Sequence, residues 1–118
     1  MEVNDYRFQG NEGEKVPKNV QILIVAPDIQ VLPDDLCENC AWLREVSLPN
    51  GLIKIGSWAF GFCKSLLEIQ ICSTVESIGD SAFVQCQLPT TVEFEEPHQL
   101  KTIGKYAFQS CFSLQRIK

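Results

Sequence analysis

Cys37 and Cys40 stand three apart in CENC, a C-x-x-C. Such a pair does redox chemistry when a strand precedes it and a long helix follows. It is half a zinc site when two further ligands stand nearby. Neither context surrounds it, and both cysteines fall at places where related segments of the chain carry packing residues, so core packing is the stronger reading. Free cysteine buries readily as a small apolar group. Cys72 falls at a strand end on the open face and is the expected reactive thiol. The one histidine, His98 in EEPHQ, has nothing to make it a general base: nucleophilic catalysis needs a base held by an orienting group. No HExxH, GxSxG or glycine-rich phosphate loop occurs. The chain therefore reads as non-enzymatic, with no catalytic residue, no metal ligand set and no cofactor.

The whole composition points the same way. At 118 residues, 45% hydrophobic and 21% charged, the chain has the makings of one globular domain and is too apolar for disorder. Its net charge of −5 repels phosphate, which argues against nucleic-acid and anionic-membrane partners. No apolar run reaches the length of a membrane span, and the first residues, MEVNDYRFQGNEGEK, lack the basic-then-apolar order of a signal peptide.

What positions these residues is a repeat. Residues 55–63 read IGSWAFGFC, 78–86 read IGDSAFVQC and 103–111 read IGKYAFQSC. The terminal cysteines Cys63 and Cys86 are 23 residues apart, and Cys86 and Cys111 are 25 apart. Stepping back 23 from Cys63 reaches Cys40, at the end of a degenerate copy, LPDDLCENC, with Pro33 in the glycine place and Cys37 in the phenylalanine place. Other columns align: Leu23, Val46, Ile69, Val92 and Ile117; Val25, Leu48, Ile71 and Phe94; Ile29, Leu52, Val75 and Leu100. A period in this range means stacked units that bury their apolar sides only against one another. Each unit reads as a short strand, a turn marked by Pro49-Asn50-Gly51, and a second extended stretch ending at Gly56, where the chain turns sharply or approaches its neighbour. About one helical turn in SWAFGFCKS then follows, with its alanine, phenylalanine and cysteine aimed at one core.

The pattern I-G-x-x-A-F-x-x-C-x-x-L-x-x-I resembles the BspA-like subfamily of leucine-rich repeats, over about residues 20–118. The resemblance implies an α/β solenoid: a right-handed leucine-rich repeat with a parallel β-sheet on one face and short helical turns on the other. It also implies a binding or adhesion role with no shared catalytic residues. Residues 1–19 read as an N-terminal cap, and residues 20–118 as the solenoid, about four repeats plus a final strand. LQRIK stops inside a strand, so self-association at the C-terminal end is a second expectation, in which the chain is a structural assembly subunit stacking on another chain. Ladder cysteines point the same way rather than at one another. Reduced thiols are therefore expected, with a cytoplasmic or other reducing compartment. A cell-surface location follows instead if a signal was removed.

The sheet face is where the repeat leaves residues free. Alternation along the strands turns Glu45, Ser47, Glu68, Gln70, Thr91 and Glu93 outward, with Cys72 and Glu95 at strand ends. Glu45 beside Glu68 brings no folding benefit, because like charges side by side on neighbouring strands repel. The expected function is a non-catalytic interaction module that recognises another protein, or a glycan, through this face. On the opposite face Trp58, Ser81 and Tyr106 are expected outside, with Trp58 a candidate partner contact.

Overall fold

The computed structural model describes residues 4–86 and 91–111, and the backbone of 116–117. The chain winds into a β-solenoid with two parallel sheets. The larger is ordered β1-β2-β4-β6-β8-β10: β1 (Asp5–Phe8), β2 (Ile22–Val25), β4 (Glu45–Ser47), β6 (Glu68–Ile71), β8 (Thr91–Phe94) and β10 (Arg116–Ile117). The smaller is ordered β3-β5-β7-β9: β3 (Val31–Leu32), β5 (Lys54–Ile55), β7 (Ser77–Ile78) and β9 (Thr102–Ile103). The columns are the registers. Leu23 pairs with Val46, Ile69 with Val92 and Val92 with Ile117, while Leu32, Ile55, Ile78 and Ile103 pair in sequence across the smaller sheet.

The helical turns expected in SWAFGFC and its copies are absent: no helix is present among the described residues. The third side of each coil is a run of tight turns instead. Two residues four apart take left-handed backbone angles in every coil: Asp35 and Asn39, Trp58 and Phe62, Ser81 and Gln85, Tyr106 and Ser110. A left-handed residue reverses its peptide plane, so alternate N–H groups leave the coil. Ala59, Gly61 and Cys63 donate back to the carbonyls of Gly56, Trp58 and Phe60 within their own coil. Trp58, Phe60 and Phe62 donate forward to Asp80, Ala82 and Val84 of the next. The same forward bonds run from Asp35, Cys37 and Asn39, and again from Ser81, Phe83 and Gln85. A helix would satisfy these groups inside the coil and leave no backbone bond between coils on this side.

Inside, like stacks on like. Phe60 and Phe83 are fully buried with rings 5.4 Å apart, and Phe83 lies 5.3 Å from Phe108. Stacked rings contribute about 0.5–1.5 kcal/mol per pair beyond the area they bury. Gly79 shows why its column is glycine: a Cβ there would sit 2.5 Å from the backbone nitrogen of Ser57 in the preceding coil. The column marks a close approach of neighbouring backbones.

Residues 4–19 lie on the first coil. β1 pairs with β2 in register from Asp5↔Ile22 to Phe8↔Val25, and Phe8 and Val16 are buried. The Glu14 carboxylate ties this segment together. It accepts the Tyr6 hydroxyl at 2.6 Å and the backbone N–H groups of Gln9 and Asn11. The Tyr6 hydroxyl first, then the backbone donors, hold the Glu14 carboxyl below its ordinary range. Lys18 donates its ammonium to the Glu38 carbonyl of the first coil.

Candidate interaction face

The cysteines are accounted for by packing. All six are free, and all but Cys111 are buried. Each ladder thiol donates to a carbonyl one layer back: Cys63 to Cys37 at 3.2 Å, Cys86 to Phe60 at 3.4 Å and Cys111 to Phe83 at 2.9 Å. Cys40 lies 3.9 Å from the Pro17 carbonyl, so the C-x-x-C is closed over by the N-terminal segment. Burial pushes the Cys63 thiol up. Of the neighbouring Cys86 and Cys111, the half-buried Cys111 thiol is held below the ordinary thiol range and Cys86 above it, each chiefly by the other. Among the described residues no group of three or more His, Cys, Asp or Glu could hold a metal ion. No helix there is long and apolar enough to cross a membrane.

Cys72 corrects the reading of it as the exposed, reactive thiol. It is 6% exposed, and its thiol donates to the Pro49 carbonyl at 3.3 Å, with Leu52 O at 3.9 Å. The chain turns immediately after β6, so alternation fails there and Ile71 and Cys72 are buried in succession. Thr74 assists: its hydroxyl donates to Leu52 O at 2.7 Å and accepts from Gly51 N at 3.1 Å.

The remaining outward residues fall where alternation puts them. Glu45, Ser47, Glu68, Gln70 and Glu95 are exposed, while Thr91 and Glu93 are half-buried. Glu45 and Glu68 are directly in register. The one ion pair among the described residues, Lys101–Glu76, lies elsewhere. The strands beneath the glutamates are unequally joined. β6 and β8 pair over four residues and β2 and β4 over three, but β4 and β6 share only Glu45↔Glu68. Here the seam opens into a depression of about 390 Å³. Glu45, Glu68 and Glu95 stand at its rim, and the inward-facing Val46 and Leu48 are reached at its floor. Val46 and Leu48 are half-buried for that reason, where Leu23, Ile69 and Val92 of the same inner layer are closed off.

The opposite face is less uniform than the sequence suggests. Tyr106 is 61% exposed, but Trp58 is half-buried and stacked on Phe62, 5.9 Å away, and Ser81 is buried. Among the described residues the most exposed aromatic is Trp42, at 66%. Sequence reasoning missed it, although a signal was present: its place between cysteine and leucine holds Ser65 in the next copy.

Comparison with known proteins agrees with this architecture. Residues 30–118 match a family model described as a BspA type Leucine rich repeat region (6 copies). No curated protein matches the sequence. A crystal structure of a leucine-rich repeat protein from Bacteroides ovatus superposes with a TM-score of 0.82 at 27% identity, covering 97% of this chain and 30% of that one. One of a leucine-rich repeat protein from T. pallidum superposes with a TM-score of 0.81 at 23% identity, covering 98% of this chain and 51% of that one. The chain thus spans about a third and about half of these two relatives.

Proposed function

The chain belongs to the BspA-type leucine-rich repeat family, whose repeats generally serve protein interaction and are generally non-catalytic, and from that premise we propose that it recognises a protein partner through the outer face of its larger sheet. One observation carries the reading. Glu45 and Glu68 sit side by side in register on the two central strands, exposed, with no cation among the described residues in ion-pair range. Like charges directly opposite destabilise a sheet by a few tenths of a kcal/mol to about 1 kcal/mol. They contribute nothing to the fold and leave an acidic band for a basic surface to meet. Glu93 and Glu95 continue that band to the next strand.

Paired affinity capture tests the proposal. One bait is the wild-type chain; the other carries Glu45, Glu68, Glu93 and Glu95 changed to lysine, with folding checked by circular dichroism. A partner held by the first and lost by the second is the expected result. Equal retention by both baits would move the interaction away from this face, toward Trp42, Trp58 or Tyr106.

A further inference from the structure

The geometry points to an occupant for the open seam between β4 and β6: an extended basic segment of a protein partner, one of whose lysine or arginine side chains enters between the two strands. This rests on the reading of the sheet face as the interaction surface and narrows it to one place and one chemistry.

Three features converge. The first is the opening itself. A parallel ladder in this solenoid runs over three or four residue pairs on either side, and here it stops after one. The space is bounded where the strands end, because Cys72 and Thr74 of one coil bond the Pro49 and Leu52 carbonyls of the coil before. The depression is thus framed by fixed bonds, at the small end of the size range of binding pockets.

The second feature is the division of its wall. The half-buried Val46 and Leu48 make a small apolar floor, and carboxylates make the rim. A lysine or arginine side chain has the matching division, an apolar stem and a charged head, and buries the one while keeping the other at a polar edge. A purely apolar side chain would leave the glutamates unused, and a free inorganic cation would leave the floor unused.

The third feature is direction. The seam runs along the strands from Glu45 to Leu48, so a chain lying over it is extended, at about 3.3 Å per residue. Ser47 and Gln70, exposed on either bank, are placed to bond its backbone.

The test uses the isotope-labelled chain and a defined probe, the blocked hexapeptide Lys-Val-Lys-Val-Lys-Val, with Gln-Val-Gln-Val-Gln-Val as its uncharged counterpart. Amide shifts on titration should concentrate at residues 45–50 and 68–72. Ser47→Trp fills the mouth of the seam without touching a charge and should abolish them. Glu45→Gln with Glu68→Gln should weaken binding about tenfold, the scale of two exposed charge pairs. Both variants change exposed side chains, and a thermal melt checks that they fold. Four outcomes would overturn the proposal: no shifts up to millimolar peptide, equal binding of the uncharged peptide, shifts centred on Thr91–Phe94, or binding indifferent to Ser47→Trp. None of these would by itself overturn the sheet-face reading, which fails only if the four-lysine bait keeps its partner.

Discussion

Two neighbouring seams of one sheet are built differently. Between β6 and β8 the backbones pair over four residues, and the inward side chains Ile69, Ile71, Val92 and Phe94 are closed off from solvent. Between β4 and β6 one pair remains, and the inward Val46 and Leu48 are half-buried. The coils on either side of the open seam stay in place because other bonds hold them. The smaller sheet, the forward bonds of the turns and the Cys72 and Thr74 side chains all cross the same gap. A stack with three hydrogen-bonded sides can give up part of one side and keep its fold, and the concession here falls beneath the acidic band.

The comparison can be broken at several places. Phe83 stands in the middle of the phenylalanine stack, between Phe60 and Phe108, so Phe83→Ala should cost most, about 3–5 kcal/mol by chemical denaturation. A loss smaller than that of any strand mutation would mean that the interior does not dominate and that the seams bear most of the stability. Val92→Ala in the closed seam should cost about 2–3 kcal/mol, from two buried methyl groups plus the cavity they leave, and Val46→Ala in the open seam no more than about 1 kcal/mol. Equal losses would erase the distinction between the seams.

Smaller effects sharpen it. Thr74→Val removes the hydroxyl that bridges Gly51 N and Leu52 O and should cost about 1–2 kcal/mol. Because that hydroxyl frames the open seam, amide exchange should quicken at Gly51 and Leu52 and stay unchanged at Val92. The N-terminal segment adds a pH dependence of its own. Glu14 has a lowered carboxyl pKa, so its contribution is present above the ordinary carboxylate range and is lost as pH falls through the lower folded value. The amides of Gln9 and Asn11 should report that titration by NMR, and Tyr6→Phe should move its midpoint upward. A midpoint that ignores Tyr6→Phe would remove the hydroxyl from the account.

The repeat made much of this legible in advance. Column spacing placed the phenylalanine stack, the inward strand residues and the close approach at the glycine place, because each coil must fill the slot its neighbours leave. The turns were misread for a definite reason. Alanine, phenylalanine and cysteine at i, i+1 and i+4 fit one turn of helix as well as they fit the turns observed. The left-handed positions are occupied by Trp58, Phe62, Ser81, Gln85, Tyr106 and Ser110, none of which announces that geometry. Only Asp35 and Asn39 in the first coil are residue types that favour it. The seam was invisible for another reason: register loss depends on how two coils settle together, which no residue type at its edge announces. Cys72 looked outward because alternation was carried one residue past the end of its strand.

The forward bonds of the turns have an electrical consequence. Ser57 O and Trp58 N belong to one peptide group, as do Asp80 O with Ser81 N and Lys105 O with Tyr106 N. The bonds Asp35 N to Ser57 O, Trp58 N to Asp80 O and Ser81 N to Lys105 O therefore thread successive peptides into one continuous line. Two further lines run beside it, through Cys37, Phe60 and Phe83, and through Asn39, Phe62 and Gln85. Peptide dipoles joined head to tail add, as they do along a helix axis. The solenoid thus has a poled axis without containing a helix. Its negative pole is the carbonyl edge of the first coil, and the Lys18 ammonium rests there on Glu38 O.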